Sequence, residues 1–436
     1  IYNYVELKKE LNKIGYSFDT NTDTEVLMAM YDRYGLSCLE HLDGMFSFVI
    51  YDERENKLFG ARDRFGEKPF FYTFDEQSFS FASEMKGLFP FGVSKTWRKE
   101  AVQEFLDGGN VLDEKDSSLT FFEGIKRLKT AHYFELDINN WDFKTKEYWS
   151  LNNIKINHAI SFEEAKSKTK ELFLEGLNRR LRSDVQLGTS LSGGLDSSIV
   201  ALSIAGITGK EFNTYSARFQ NFDKDEGEFM DAVANHISGI KQNIVWLDES
   251  TLAENLEGLN RAQEEPYGSA SMLAQYMVMK EARKTGTTVL LDGQGADEYF
   301  AGYFPYYRRY IQQLEFHDKT MFNEELSYYN NLPNFSMYIS YKKSENLRMK
   351  LGRYKSTISG GHPISKDHFR KRLILDCTGG HLQGLLRYGD RSSMAHSVES
   401  RLPYLYHTLV EFVFSLPDEF LLNKGITKYI LRESFA

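Results

Sequence analysis

The chain is short of cysteine, proline, positive charge and long apolar runs. Its 436 residues include two cysteines, Cys38 and Cys377, and eight prolines. No CxxC pair occurs and no Cys/His group has zinc spacing, which excludes a disulfide framework and a structural zinc site of the usual kinds. A reducing cytoplasm is therefore the expected location. No apolar run approaches the roughly 18 residues of a membrane span, so no membrane partner is expected. The formal net charge is −9 and the pI near 5.7. That balance argues against nucleic acid as a partner of the surface as a whole, while leaving room for a local basic pocket. No signal peptide is visible. The sequence opens at Ile1, already inside a helix-like pattern, so an upstream segment is expected.

What is present is a core-forming composition, with 41% hydrophobic and 14% aromatic residues. Tyr4, Leu7, Leu11 and Ile14 are spaced as one face of a helix, and residues 24–34 form a second amphipathic stretch that Gly35 ends. The period then changes to two. "MFSFVIYD", "KLFGARD", "KPFFYTF" and "SFSFAS" predict short aromatic strands in an antiparallel meander, hence a layered α+β domain. Residues 98–150 are mixed, with a strand at 131–136. A helical period returns at Phe162, and beyond it strands and helices alternate: "DVQLGTSLS", "EFNTYSARF", "NIVWLD" and "TTVLLDG" are separated by helical stretches. Alternation of that kind predicts a parallel, doubly wound sheet. The domain boundary is placed at 150–160, giving domains 1–155 and 156–436, with residues 305–375 rich in helix.

One stretch stands out, "SLSGGLDSSIVA" at residues 190–201. It lies at the carboxyl end of a predicted strand, where ligands of open α/β sheets bind. Gly193 and Gly194 permit a tight turn and leave no Cβ in the way, so loop and helix N–H groups can face an anion. Ser192, Ser197 and Ser198 add hydroxyls. Asp196 repels phosphate by itself and makes sense with a magnesium ion between the two. A capped helix start is the plain alternative, and an isolated S-G-G favours it. A P-loop does not account for the stretch, since no GxxxxGK[ST] occurs. The design repeats in "VLLDGQGADEYFAGY", where a buried-type strand runs into Gly293 and Gly295 and then the acidic Asp297 and Glu298. Asp196 and Asp297 are the candidate pair for one magnesium, and the repeat moves the balance toward a nucleotide site.

At these residues the chain resembles a known family. "SLSGGLDSS" resembles the pyrophosphate-loop signature of ATP pyrophosphatases. Together with "EEPYGSASM", "LLDGQGADEYFAGY", "LLRYGDRSSMAHSVESRLPYL" and "TKYILR" it is similar to glutamine-dependent asparagine synthetases. In the front half, "TDTEVL", "LDGMFSFVIYD", "ARDRFGEKPFFY" and "FASEMKGL" resemble the class II glutaminase domain. The resemblance implies an α+β N-terminal-nucleophile (αββα) glutaminase domain followed by an α/β doubly wound ATP pyrophosphatase domain. It implies that glutamine is hydrolysed to ammonia, that a carboxylate is adenylated with ATP and Mg, and that ammonia crosses an internal tunnel to attack the adenylate, releasing AMP. Aspartate is the acceptor it implies, and it leaves room for a homodimer. Residue by residue, Ser192, Gly193, Gly194, Asp196, Ser197 and Ser198 match the pyrophosphate site, Leu191 and Ala217 the adenine contacts, and Asp292 and Gly293 another nucleotide-contact pair, where serine is familiar at the first position. Asp297 matches a metal position, Lys428 a lysine that steadies pyrophosphate during adenylation, and Asp23 the carboxylate that grips the α-amino group of glutamine.

Three departures accompany the match. The resemblance places the nucleophilic cysteine and the Asn-Gly pair of the oxyanion hole upstream of Ile1, and Cys38, at an apolar helical position, reads as a buried inert thiol rather than a substitute. Gln294 stands where the family has a glutamate tied to adenylate formation, and glutamine cannot act as a general base. Tyr406 stands where "PFLD" has aspartate. These changes keep a ligase or cyclase acting on another carboxylate as an alternative, and a non-catalytic scaffold as a second. Arg387, Asp390, Arg391, Glu399 and Arg401 are candidates for holding the acceptor, against the alternative of a bracing salt-bridge network. The "ARDRFGEKP" charges read as structural.

Overall fold

A computed structural model describes residues 1–109, 111–112, 116–219, 225–237, 239–269, 271–330 and 368–436. Two compact units emerge. The first comprises Ile1–Asn153, Glu171–Gly295 and Asp376–Glu411, and the second Ile154–Lys170, Ala296–Leu375 and Phe412–Ala436. The reading of 305–375 as helix-rich falls in part on residues 331–367, which lie outside the described residues.

The first unit begins with helices Tyr4–Lys13, Asp23–Tyr34 and Cys38–His41. Strands follow: β1 (Ser47–Asp52), β2 (Lys57–Arg62), β3 (Phe71–Phe74), β4 (Phe79–Ala82), β5 (Lys126–Arg127), β6 (His132–Asp137) and β7 (Asp142–Glu147). They form two antiparallel sheets, β1-β2-β6-β7 and β4-β3-β5, rather than the single meander the pattern suggests. The cause is the turn after β2. The Arg62 guanidinium donates to the carbonyls of Gly66, Lys68 and Leu128, and the Asp63 carboxylate accepts the N–H groups of Phe46, Phe65, Glu67 and Lys68. These bonds carry the chain from one sheet to the next, so the charges of "ARDRFGEKP" are structural here. Strand periodicity sorts the side chains. Phe59, Ala61 and Tyr133 pack against Leu7, Val26, Leu27 and Met30 of the helices, while Leu58 and Phe134 face Phe70, Tyr72 and Leu128 of the other sheet. The edge strand β7 is nearly all polar and carries too little apolar alternation to be read from the sequence, whereas the helix Lys99–Gly108 is amphipathic and lies in the stretch read as mixed.

The same unit holds a parallel sheet: β8 (Leu187–Ser190), β9 (Phe212–Phe219), β10 (Ile240–Leu247), β11 (Val289–Leu291) and β12 (Glu399–Arg401). Its order is β10-β9-β8-β11-β12 and every neighbouring pair is parallel. Strand β12, Glu-Ser-Arg, has no apolar signal and was not foreseen. The strand order turns back at β8, between β9 and β11, and such a reversal opens a crevice at the carboxyl ends of the strands.

The second unit includes helices Ala296–Tyr299, Phe304–His317, Lys319–Asn330, Asp418–Leu421 and Tyr429–Ser434. Its core is tyrosine-rich: the rings of Tyr307 and Tyr329 stack at 5.5 Å, and the Tyr307 hydroxyl, bonded to Glu325, accepts the Gly425 N–H at 2.8 Å. Among the described residues, no helix is long and apolar enough to cross a membrane.

Candidate active site

Strand β8 delivers the chain into Leu191–Gly194, and helix Leu195–Thr208 follows with no side-chain cap at Gly194. Gly193 has φ +82°, and a Cβ there would lie 2.9 Å from the Glu226 carbonyl oxygen, so only glycine makes this turn. The serines fold the loop on itself. Ser192 N–H donates to Ser197 Oγ at 3.2 Å, Gly194 N–H to Ser192 Oγ at 3.3 Å, and Ser198 Oγ–H to the Gly194 carbonyl at 2.8 Å. Leu191 extends the ladder, its N–H donating to Tyr215 O at 2.9 Å and its carbonyl accepting Ser216 Oγ–H at 2.6 Å. A wide turn of small residues before a helix N-terminus is a ready-made anion site.

The loop after β11 meets the first one. A Cβ on Gly293 would fall 2.9 Å from Ser197 N and 3.2 Å from the Asp196 carbonyl carbon. Spacing alone left open whether the two glycine loops meet; tertiary structure packs them together at the strand-order reversal. Asp292 shapes this second loop. Its N–H donates to Arg401 O of β12 at 2.9 Å, and its carboxylate accepts from Ser190, Gln275 and the N–H groups of Gly293 and Gln294. Burial nevertheless pushes its carboxyl above the ordinary range. Ala217 lies on β9, two residues beyond Tyr215. Gln294 lines a small cavity of about 20 Å³ with Glu67, Lys68, Asp390 and Ser400.

Asp297 and Lys428 lie in the second unit. They pair there, Lys428 Nζ to Asp297 Oδ1 at 2.7 Å. Lys428 takes the left-handed conformation, φ +52°, immediately before helix Tyr429–Ser434. Neighbouring Glu298 is buried, accepts the Tyr303 hydroxyl at 2.9 Å, and burial pushes its carboxyl up to about 7. Among the described residues no cluster of three or more His, Cys, Asp or Glu side chains forms a metal cage.

The charged candidates for acceptor binding divide into separate networks. Arg387 pairs with buried Glu265 at 2.8 Å, Asp390 with Lys68 at 2.9 Å, and Arg391 with Glu264 at 2.8 Å. Arg401 donates to the carbonyls of Arg180 and Arg182, both at 2.7 Å, and to Glu399 at 2.6 Å. All five take part in ion pairs or hydrogen bonds, and Arg387, Asp390 and Arg391 also share the lining of one cavity of about 30 Å³. Tyr406 is likewise buried structure, its hydroxyl on Glu175 at 3.1 Å and its ring 5.2 Å from the Arg179 guanidinium. The Cys38 thiol is fully buried, and burial pushes it up to about 12, the state of an inert thiol.

A larger cavity, about 600 Å³, opens beside Asp23. Met45–Phe48, Lys68 and Ser83–Glu84 share the lining with Asp390, Arg391 and Met394. Residues 168–436 match the asparagine synthase family profile and residues 1–149 the glutamine amidotransferase domain.

The chain belongs to the asparagine synthase family.

Asparagine synthetase (glutamine-hydrolyzing) 3 of Bacillus subtilis (strain 168) is 30% identical over 457 residues, covering 100% of this chain and 71% of the relative. Asparagine synthetase (glutamine-hydrolyzing) 2 of the same organism is 28% identical over 458 residues, and there the chain spans 59% of the relative. Amidase chyE of Penicillium rubens is 28% identical over 497 residues, covering 96% of this chain and 71% of that protein. Among solved structures, the glutamine phosphoribosylpyrophosphate amidotransferase from B. subtilis aligns with a TM-score of 0.25 at 17% identity, over 67% of this chain and 59% of that one, too weak a likeness to bear on the fold. Within this family member, the two profile matches and the two compact units divide the chain differently, since the parallel sheet shares the first unit with the antiparallel layers.

Glu67 was not singled out as a candidate. It is 6% exposed, and its Oε2 has no hydrogen-bond partner among the described residues. Burial, aided by the charge of Asp63, pushes its carboxyl up from the ordinary 4.5 to about 8. Between those two pH values the folded chain keeps a proton that the unfolded chain has released, so this group costs stability as pH rises from 4.5 through about 8. Glu67→Gln should therefore raise the melting temperature relative to the parent more at pH 8 than at pH 5. Thermal melts at the two pH values check this, and an equal shift at both would refute the assignment.

Proposed function

We propose that the protein is a glutamine-dependent amidotransferase that adenylates aspartate with ATP and Mg and amidates it with ammonia, giving asparagine, AMP and pyrophosphate. The packing of the Asp292–Gly295 loop against the Ser192–Ser198 loop, at the reversal of a parallel sheet, is the observation that carries the reading. Family membership and the names of the relatives support it. In this proposal residues 1–155 are an αββα N-terminal-nucleophile glutaminase domain and 156–436 a doubly wound ATP pyrophosphatase domain. Leu191 and Ala217 contact adenine, Ser192–Ser198 and Gly293 receive the phosphates, and Asp292 orders the second loop. Asp196 and Asp297 are the proposed magnesium carboxylates. Magnesium would neutralise phosphate charge as pyrophosphate leaves, and Lys428 would hold the charge that develops on it. Asp23 holds the glutamine ammonium in the larger cavity. A cytoplasmic location and a homodimer belong to the same proposal.

The deciding experiment supplies the protein with ATP, Mg, aspartate and ammonium and follows pyrophosphate, AMP and asparagine. A joint, aspartate-dependent rise of all three is expected. Gln294 motivates a second reading, a related ligase or cyclase on another carboxylate; pyrophosphate released only with a different acceptor selects it. No release with any of a broad panel rejects both. Asp196→Ala should lower adenylation by about a hundredfold or more while leaving the far-UV circular dichroism unchanged. Parent-like turnover in that variant would remove the metal role.

A further inference from the structure

The cavity beside Asp23 is walled in part by the rear half of the chain. Asp390, Arg391 and Met394, at the end of helix His381–Met394, line it together with Asp23, Ser83 and Glu84. Arg391 is 3% exposed, its guanidinium 5.2 Å from the centre of the Phe71 ring, and it pairs with Glu264 at 2.8 Å and with Glu84 at 3.4 Å. Glu264 does a second thing. Its carboxylate accepts the N–H groups of Met85 at 3.0 Å and Lys86 at 2.8 Å, tying down the turn that carries Ser83 and Glu84 into the cavity wall. It does so from a left-handed backbone, φ +59°, at the end of helix Glu249–Gln263, a conformation that a non-glycine residue holds only when its surroundings fix it. The next residue anchors that backbone. Glu265 is buried between Arg127 at 2.9 Å and Arg387 at 2.8 Å and also accepts the Phe121 N–H at 3.1 Å.

We infer that Glu264, a residue of the ATP-binding half, is a positioning residue for glutamine: it fixes Arg391 and the Ser83–Lys86 turn as one wall of the glutamine pocket. The inference rests on the proposed reading of the cavity beside Asp23. Glutamine affinity is thereby set in part by a loop that starts at the end of a helix flanking the parallel sheet. Charge matters as much as shape, because a buried guanidinium keeps its place only against a carboxylate.

The test uses full-length protein and compares Glu264→Gln with the parent. The amide oxygen can still accept one of the Met85 and Lys86 N–H groups, which bond different carboxylate oxygens, but the side chain no longer balances Arg391. L-Glutamine binding by calorimetry and the KM for glutamine should both weaken about tenfold, while kcat with glutamine and the constants for ammonium stay within about twofold. Glu84→Gln is the second variant. Its side chain is 42% exposed, so folding is not at stake, and a rise of about threefold in the KM for glutamine is expected. Glutamine and ammonium constants falling together with the melting temperature would reduce Glu264 to a brace and overturn the inference. Unchanged glutamine affinity in folded Glu264→Gln would also overturn it, and if that variant does not fold, unchanged affinity in Glu84→Gln would. A parent protein that binds no glutamine sinks the reading of the cavity and takes this inference with it; a parent that binds glutamine normally leaves the variants to decide.

Discussion

Lys428→Ala is expected to reduce acceptor-dependent pyrophosphate release by about a hundred- to a thousandfold, the usual cost of deleting one group that stabilises developing charge. The lysine is held in one position. It is 7% exposed, its Nζ is 2.7 Å from Asp297 Oδ1, and its left-handed backbone directs it from the start of helix Tyr429–Ser434. Stability should change far less than rate. The Asp297 side chain is 30% exposed, so water can reach the carboxylate once its partner is gone. Arginine should not restore activity, because the Lys428 Cε already lies 2.2 Å from where a Cβ on Gly302 would be, and a planar guanidinium needs more room. Pyrophosphate assays with a circular dichroism melt decide it. A folded alanine variant that turns over like the parent would show that Lys428 does not touch the reaction.

The second large effect is expected at a residue with no side chain. Gly302 sits where an added Cβ would be 1.8 Å from Asp297 Oδ1 and 2.2 Å from Lys428 Cε. Both atoms belong to the side chains of the ion pair and would have to move to admit the Cβ, which displaces the pair. Gly302→Ala should therefore reproduce the loss seen in Lys428→Ala, within about tenfold, and leave ATP-independent glutamine hydrolysis by full-length protein unchanged. Gly206→Ala is the control. That glycine lies inside helix Leu195–Thr208 with nothing within 4 Å of its would-be Cβ, so the change should leave activity alone and stabilise by about 0.5–1 kcal/mol. Full activity in Gly302→Ala would mean that the ion pair rearranges freely and is not the assembled site.

These effects differ in how legible they were. Asp196 and Asp297 are legible as acidic residues beside glycine turns, and Lys428 only through the resemblance of "TKYILR" to the family. Gly302 was quoted within "LLDGQGADEYFAGY" without a role, since a close approach to Lys428 brings together positions far apart in the chain. Glu264, in "QEEPYG", and Glu67, in a charge run, carry no signal beyond being acidic, and their importance comes from burial. The charges of helix His381–Met394 read in the sequence as a substrate grip or as a bracing network, and which acid each one pairs with emerges only in the folded chain.

The sequence by itself determined the local order: which stretches are helix or strand, where strands alternate with helices, and which glycine loops end them. Those features depend on periodicity and turn chemistry, which act over a few residues. It also determined the family, because the motifs recur in order along the chain. Only the tertiary structure decided how the strands divide into sheets, that β12 joins the parallel sheet, that the two glycine loops touch, and which acids balance which arginines. Each of these depends on burial and pairing between distant residues, where the energy of a charge or a missing Cβ is set by what packs against it.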